Sequence, residues 1–274
     1  MKRPFTIAFL VAIAVNVAAP STIYSQMRER SDDPFIGQWK LNGSKTKFTD
    51  RMKVEHAEGD KYVFDFGGGA ETILVNGTEQ PGNSDTTLTV TSEDLRTWKV
   101  LRKAHGRTLL TATWVLSKDG KTLMDDFTGF GANGSRMNTK YVYRRKAPGT
   151  GFAGDWISIS GTLKSAYVIE IRSWDGDGLS FIDSFAGQTK NVKFDGKDYP
   201  REGANADPHA TSSIRRVNDR ALEMTDKVNG EISDTRLITV SSDLNRMTIT
   251  VHVTGSTEPN ILVLDHRSEF LKVT

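Results

Sequence analysis

Most of this chain consists of two similar sequence repeats, and these limit the folds that it can adopt. Phe35 to Trp39 (FIGQW) reappears as Phe152 to Trp156 (FAGDW), and Asn76-Gly77 corresponds to Asp195-Gly196. A further block aligns at one constant offset without a gap: Arg96, Lys103, Gly106, Ser117 and Asp119 match Arg220, Lys227, Gly230, Ser241 and Asp243. A repeat on this scale predicts two similar units folded in series. We place the repeats at residues 35–146 and 152–270, with residues 147–151 as the linker.

The hydrophobic pattern inside each repeat predicts β-strands. Tyr62, Phe64 and Phe66 alternate with Lys61, Val63 and Asp65, and the stretch from Met247 to Val253 alternates in the same way. This period of two is typical of antiparallel strands with one face on a core. Turn dipeptides that tolerate positive φ separate the runs, among them Asp175-Gly176 and Asn229-Gly230. Eight or nine strands per repeat predict an all-β protein of two tandem antiparallel β-barrels, with β-sandwiches as the alternative.

The amino terminus has the pattern of an export signal. Lys2 and Arg3 precede an apolar run from Phe5 to Ala19, and small residues follow. We therefore expect residues 1–25 to be a signal peptide, with the mature protein periplasmic or extracellular. The run is short for a membrane span, so we expect no span once the signal is removed.

Composition excludes several classes of function. The chain has no cysteine, so disulfides, thiolate metal sites and a cysteine nucleophile are excluded. Its formal net charge is +2, with acids and bases interspersed, which argues against nucleic-acid binding.

Two short motifs carry a resemblance to a known superfamily. Gly37-Gln38-Trp39 and Gly154-Asp155-Trp156 each open a predicted first strand. They resemble the first motif of the lipocalin and fatty-acid-binding superfamily, in which the tryptophan closes one end of the barrel. Two longer stretches, residues 117–123 and 192–207, are similar to poorly characterised lipocalin-like proteins exported by bacteria. The resemblance implies two tandem lipocalin-like barrels, with Trp39 and Trp156 buried at equivalent positions; it implies neither a ligand nor a reaction.

The sequence points to no catalytic constellation. The five histidines, His56, His105, His209, His252 and His266, lack metal-ligand spacing, and we assign no catalytic residue, metal site or cofactor. Asp175 and Asp177 have half the pattern of a calcium loop, but a hairpin turn explains them. Asp125 and Asp126 are adjacent along a strand, so their carboxylates are predicted to point to opposite faces.

Three hypotheses for function remain. The first is an exported binding protein that holds a small, partly apolar ligand; the second is a structural or protein-interaction module whose barrels are filled by side chains. The third, an enzyme whose residues converge inside a barrel, has no supporting motif. The first repeat is richer in aromatic residues, and its rings either line a pocket or fill their own interior. No binding residue is assigned, and the oligomeric state is left open.

Overall fold

The computed structural model describes residues 33–47, 51–65, 70–82, 86–165, 167–256 and 258–267. These residues form an all-β protein of two ten-stranded antiparallel sheets, as the sequence predicted. One sheet closes into a barrel and the other is nearly closed. The expected signal peptide and Phe66 lie outside the described residues. In the part of the chain that the structure describes, no helix is long and apolar enough to cross a membrane.

The closed barrel is made of one early strand and nine late ones. Its strands, in chain order, are β1 (Gly37–Leu41), β12 (Val168–Trp174), β13 (Gly178–Asp183), β14 (Gln188–Lys193), β15 (Tyr199–Glu202), β16 (Ala210–Asn218), β17 (Ala221–Val228), β18 (Glu231–Val240), β19 (Arg246–Val253) and β20 (Asn260–His266). Each strand pairs with the next in this order, and β20 pairs with β1 to close the ring.

The second sheet, which we call the open barrel, contains all the strands between β1 and β12. They are β2 (Arg51–His56), β3 (Lys61–Asp65), β4 (Glu71–Leu74), β5 (Gln80–Pro81), β6 (Thr87–Asp94), β7 (Thr97–Ala104), β8 (Arg107–Leu116), β9 (Thr122–Phe130), β10 (Arg136–Arg145) and β11 (Gly154–Ser165). The sheet ends at β4 and β5. There the Gln80 side chain takes the place of a backbone pair, because its amide both accepts from Leu74 N and donates to Leu74 O at 2.8 Å.

The two repeats exchange their first strands. β1 opens the first repeat but pairs with β12 and β20, whereas β11 opens the second repeat but pairs with β2 and β10. The barrels therefore do not coincide with the repeats at residues 35–146 and 152–270. The physical reason is the repeat itself: two near-identical first strands fit either sheet, as in domain swapping between identical chains.

The exchange preserves the register of both first strands. Trp39 pairs with Ile169 and Trp156 with Met52, and each indole donates to the carbonyl oxygen of the phenylalanine four residues earlier, at 2.8 Å and 3.0 Å. Both tryptophans are buried, at 0% and 1% exposure. The two indoles thus occupy equivalent positions, in opposite barrels from those the repeat boundaries predicted.

The glycine of each Gly-x-Trp motif makes room for the last strand of the barrel. Gly37 has φ +145° and Gly154 φ +154°, which is unfavourable for other residues. A Cβ on Gly37 would lie 2.5 Å from His266 Nε2, and one on Gly154 would lie 2.6 Å from Arg145 Nη1. His266 covers Trp39, with the two ring centroids 4.8 Å apart, and the guanidinium carbon of Arg145 covers Trp156 at 4.2 Å from the ring centroid.

Side chains fill the interior of both barrels. In the closed barrel the apolar core is mainly aliphatic and exposes almost no surface; it includes Trp39, Ile171, Val192, Leu222, Met247 and Leu264. In the open barrel the rings pack on one another, with Trp98 stacked 3.8 Å from Phe152 and Phe64 5.6 Å from Trp114. The aromatic side chains of the first repeat therefore fill its core, one of the two outcomes that the sequence left open.

Candidate functional site

A cleft between the two barrels forms a half-open cavity of about 270 Å³. One wall is the outer face of β1 and β12, and the second is the turn after β13. The third is the hairpin between β9 and β10, which reaches across from the open barrel. The lining residues are Gln38, Asn133, Ser135, Tyr167, Val168, Glu170, Ser184, Phe185 and Arg267. We call this cavity the inter-barrel cleft.

The hairpin is held against the closed barrel by a specific contact. Ala132 N donates to Phe185 O at 2.8 Å. Gly131 permits this approach, since a Cβ there would lie 2.6 Å from the Phe185 ring. Met137 and Leu163 of the open barrel also join the apolar core cluster of the closed barrel. The cleft therefore lies beside a packed contact between the two barrels.

The strand exchange supplies one wall of the cleft. Gln38 belongs to β1 and pairs with Glu170 of β12, so both side chains leave the barrel on its outer face. Asn133 and Ser135 of the hairpin belong to the same repeat as Gln38, whereas Tyr167 and Phe185 belong to the other. Both repeats thus contribute to the cleft.

Tyr167 connects the cleft to the interior of the closed barrel. Its hydroxyl donates to Asp183 Oδ2 at 2.8 Å, and Asp183 Oδ1 accepts from Ala186 N at 2.8 Å. Its ring packs edge-on against Phe185 at 6.2 Å. Burial, and then the charge of Asp183, raise the pKa of Tyr167 well above its ordinary value. The phenol of Tyr167 is therefore neutral, and its hydroxyl is bonded to Asp183.

Deeper in the closed barrel, the carboxylate of Asp226 contacts several donor side chains. Asp226 is fully buried and contacts Lys190 Nζ at 2.5 Å, Arg236 Nη2 at 2.9 Å and Arg201 Nη2 at 3.1 Å. The hydroxyl of Ser212 adds a hydrogen bond at 2.5 Å. These side chains extend from five consecutive strands, β14 to β18, into the barrel, and we call them, with Asp234, the buried charge network.

The network carries an excess of positive charge. Asp234, only 1% exposed, accepts from Arg236 Nε at 2.7 Å, so three cations face two carboxylates. Burying such a group is unfavourable unless each charge is paired and hydrogen-bonded, as these are. The Arg236 charge also acts on Tyr167, which links the network electrostatically to the wall of the cleft.

The charges of the network shift one another's pKa. Burial and, next, the charge of Arg236 lower the pKa of Lys190 to about 8, although Asp226 opposes the shift. Burial alone would raise the pKa of Asp226, but Arg236, Lys190 and Arg201 outweigh it and hold that pKa well below its usual range. Asp226 is therefore ionised at neutral pH despite its burial.

The open barrel has a single ion pair at the positions of Lys190 and Asp226. The offset that relates Asn76 to Asp195 also relates Glu71 to Lys190, and the offset that relates Arg96 to Arg220 relates Arg102 to Asp226. Glu71 and Arg102 form an ion pair of side chains that are 8% and 18% exposed, and Arg102 Nη1 donates to Thr86 Oγ1 at 2.7 Å. The two barrels thus bury the same pair with its charges reversed.

The residues weighed in the sequence lie apart from the cleft. Asp125 is buried and Asp126 is exposed, 3.0 Å from Lys140, so the two carboxylates do point to opposite faces. His252 is exposed on the outer face of β19. Among the described residues, no three His, Asp or Glu side chains form a group able to hold a metal ion. The sequence predicted neither the cleft nor the network. A signal for the network was present, because Asp226 follows Leu222 and Met224 at a spacing of two and therefore lies on the buried face of the same strand.

Fold and site together define an all-β protein of two barrel-like sheets with a half-open cleft between them. This architecture is compatible with tandem lipocalin-like barrels. No protein-family model matches the chain, and no curated protein matches its sequence. The residues of the cleft are therefore the basis for a functional assignment.

Proposed function

We propose that this chain is an exported binding protein of lipocalin-like type, and that it holds one small ligand in the inter-barrel cleft. The observation that carries the proposal is the half-open cavity of about 270 Å³, whose walls combine hydrogen-bonding and aromatic side chains. Ligand sites in proteins are commonly concave, partly apolar and equipped with a few convergent polar groups. The volume suits a molecule smaller than a typical drug.

The walls define the chemistry of the ligand. Gln38, Asn133, Ser135 and Ser184 offer neutral donors and acceptors, while Phe185 and Val168 offer apolar surface. Glu170 is already paired with Arg172 through two hydrogen bonds of 2.8 Å and 2.9 Å, so its charge is largely satisfied. Arg267 is the other charged residue of the walls, and its guanidinium lies 3.5 Å from Gln38 Oε1. These walls favour a molecule with several hydrogen-bonding groups, one apolar face and at most one negative charge.

The cleft is a better candidate than either barrel interior. A lipocalin-type pocket needs open space among the inward side chains, and here those side chains are almost entirely inaccessible to solvent. Small barrels filled in this way have no room for a ligand. The binding function, if located in the barrels, would require the core to rearrange, whereas the cleft needs no rearrangement.

The same filled interiors favour a second candidate function, a protein-interaction module. In that case the cleft receives a side chain or loop of another protein rather than a free small molecule. The two functions predict different molecules bound to the purified protein: a small molecule in the first case and another protein in the second.

Mass spectrometry of small molecules extracted from the purified protein tests the proposal. The wild-type protein is compared with Ser184→Trp, which places an indole in the cleft, and with Ser160→Trp, which places one at an exposed position of β11 outside it. We expect one small molecule at near-stoichiometric amount in the wild type and in Ser160→Trp, reduced at least tenfold in Ser184→Trp.

Equal amounts of that molecule in all three proteins would place the ligand elsewhere. A wild-type protein without any bound small molecule, but with a co-purifying protein that Ser184→Trp loses, would favour the interaction module instead.

A further inference from the structure

A second cavity, of about 490 Å³, lies at one end of the open barrel. Its walls are Arg96 in the turn between β6 and β7, residues 116–121 around the turn between β8 and β9, Arg145 at the end of β10, and residues 148–151 of the linker. We call it the basic groove. It shares no residue with the inter-barrel cleft.

Four cationic side chains line the basic groove: Arg96, Lys118, Lys121 and Arg145. None of them forms an ion pair with a carboxylate in the described part of the chain. Among the described residues, two carboxylates act on these cations, Asp94 on Arg96 and Asp119 on Lys121, so the groove keeps an excess of positive potential.

The only carboxylate among the lining residues is committed to its own turn. Asp119 accepts from Ser117 Oγ at 2.7 Å and from Lys121 N at 3.1 Å. The bond from Ser117 is the main reason that the pKa of Asp119 is lowered. Its charge therefore shapes the hairpin and offsets only part of the surrounding positive charge.

Arg145 forms a fixed cationic floor. Its guanidinium lies 4.2 Å from the Trp156 ring and donates to Gly120 O at 2.8 Å, to Gly151 O at 2.6 Å and to Ala153 O. Carbonyl oxygens orient a guanidinium but do not neutralise it. Burial lowers the pKa of Arg145, because part of the guanidinium is removed from water.

The closed barrel supplies a natural control for this groove. The same turn geometry occurs there, since Val240 N donates to Arg220 O at 2.9 Å as Leu116 N donates to Arg96 O at 2.8 Å. Yet Ser242 and Asn245 stand where the open barrel has Lys118 and Lys121, and His266 covers the tryptophan in place of Arg145. The turn therefore folds without these charges, and the fold does not explain why the open barrel has them.

We propose that the basic groove binds a small multivalent anion, a compact molecule that carries two or more carboxylate or phosphate groups. Several cations around one concave surface favour such a ligand over a monovalent one, because each added negative charge interacts with all of them. Leu116 and Pro148 in the walls accommodate a short carbon skeleton.

Titration calorimetry of the full chain tests this site with two probes, inorganic pyrophosphate and propane-1,2,3-tricarboxylate. The groove variant Lys118→Ser/Lys121→Asn introduces the residue types that the closed barrel has at the corresponding positions, Ser242 and Asn245. The control variant Lys45→Ser/Lys61→Asn makes the same change of net charge at exposed lysines outside the groove. We expect saturable binding of at least one probe, at least tenfold weaker in the groove variant, unchanged in the control, and weaker as salt is added.

The pattern of probes assigns the chemistry: binding of pyrophosphate alone indicates phosphate, and binding of the tricarboxylate alone indicates carboxylate. If neither probe binds saturably, or if both variants lose affinity equally, the proposal is overturned. Arg96→Gln is a further check that leaves the hairpin intact, and an affinity equal to that of the wild type would count against the groove.

Discussion

The two barrels bury an ion pair at the same place with opposite polarity. In the closed barrel the pair is Lys190 and Asp226, and in the open barrel it is Glu71 and Arg102. The strands that carry the pair correspond in the repeat, so the geometry that brings the two positions together is shared. What the fold requires at these positions is therefore a complementary pair, and either sign satisfies it.

The surroundings of the two pairs differ more than the pairs themselves. Arg201, Arg236 and Asp234 extend the pair of the closed barrel into a network, whereas the open barrel has Leu110 and Ala112 at the positions of Asp234 and Arg236. The open barrel fills the remaining space with aromatic rings. One architecture thus accommodates a charged interior and an aromatic interior.

The largest predicted effect concerns a feature that the barrels share. Replacing Trp39 or Trp156 by alanine should lower the free energy of unfolding by about 4 kcal/mol, since each change empties a core-sized volume. Because the two indoles have the same burial and the same hydrogen bond, the two losses should agree within about 1 kcal/mol. Chemical denaturation measures both, and strongly unequal losses would break the equivalence.

The next effect should separate the barrels. Asp226→Asn leaves Lys190, Arg201 and Arg236 without their shared carboxylate, and it should lower the free energy of unfolding by about 3 kcal/mol. Glu71→Gln leaves Arg102 with Thr86 and with more access to water, so we expect less than half of that loss. Urea unfolding of both variants is the measurement; a Glu71→Gln loss as large as that of Asp226→Asn would contradict the difference between the barrels.

Exchanging the charges of Glu71 and Arg102 tests whether the open barrel accepts either orientation of the ion pair. Glu71→Lys and Arg102→Asp alone should each lower the free energy of unfolding by about 2 kcal/mol, because each places like charges together. The double variant recreates the polarity of Lys190 and Asp226 and should recover most of that loss. A double variant that is as unstable as the sum of the singles would show that the open barrel accepts one polarity only.

The smallest effect is a dependence on pH that belongs to the closed barrel. The pKa of Lys190 is lowered to about 8 in the folded protein, below its ordinary value of 10.5. Between these two values the unfolded chain binds more protons than the folded protein, so stability should rise with pH in this window, by about 1.4 kcal/mol per pH unit at most. Lys190→Met should remove this increment, and the difference between the two proteins from pH 8 to 10.5 measures it. An identical slope in both would rule out a lowered pKa for Lys190.

Much of the fold could be predicted from the sequence because its signals are local. The alternation around Tyr62 and Phe64 appears as β3, and the predicted turns have the expected backbone, with Asp175 at φ 45° and Asn229 at φ 53°. Closure into barrels followed from the number of strands and the need to cover sheet edges. The burial of both tryptophans followed from the Gly-x-Trp motif.

The strand exchange could not be predicted, because the two first strands that reveal the repeat are so similar that each fits the partner strands of the other. Trp39 fits beside Ile169 as well as Trp156 fits beside Met52, so no local pattern distinguishes the two partners. The inter-barrel cleft was out of reach for the same reason, since Gln38 and Glu170 become neighbours only through the exchange. The network was missed because Lys190 and Arg236 are far apart in sequence and resemble ordinary surface charges.

The exchange of first strands is the central claim, and a pair of engineered disulfides tests it most directly in a chain that has no cysteine of its own. Lys40 lies opposite Asp265 across β1 and β20; without the exchange it would take the place of Ile157 and lie opposite Arg144. Directly opposed residues of antiparallel strands are close enough for a disulfide. The account predicts that Lys40→Cys/Asp265→Cys cross-links on mild oxidation, as mass spectrometry of peptides will show, and that Lys40→Cys/Arg144→Cys does not. Cross-linking of the second pair and not the first would contradict it.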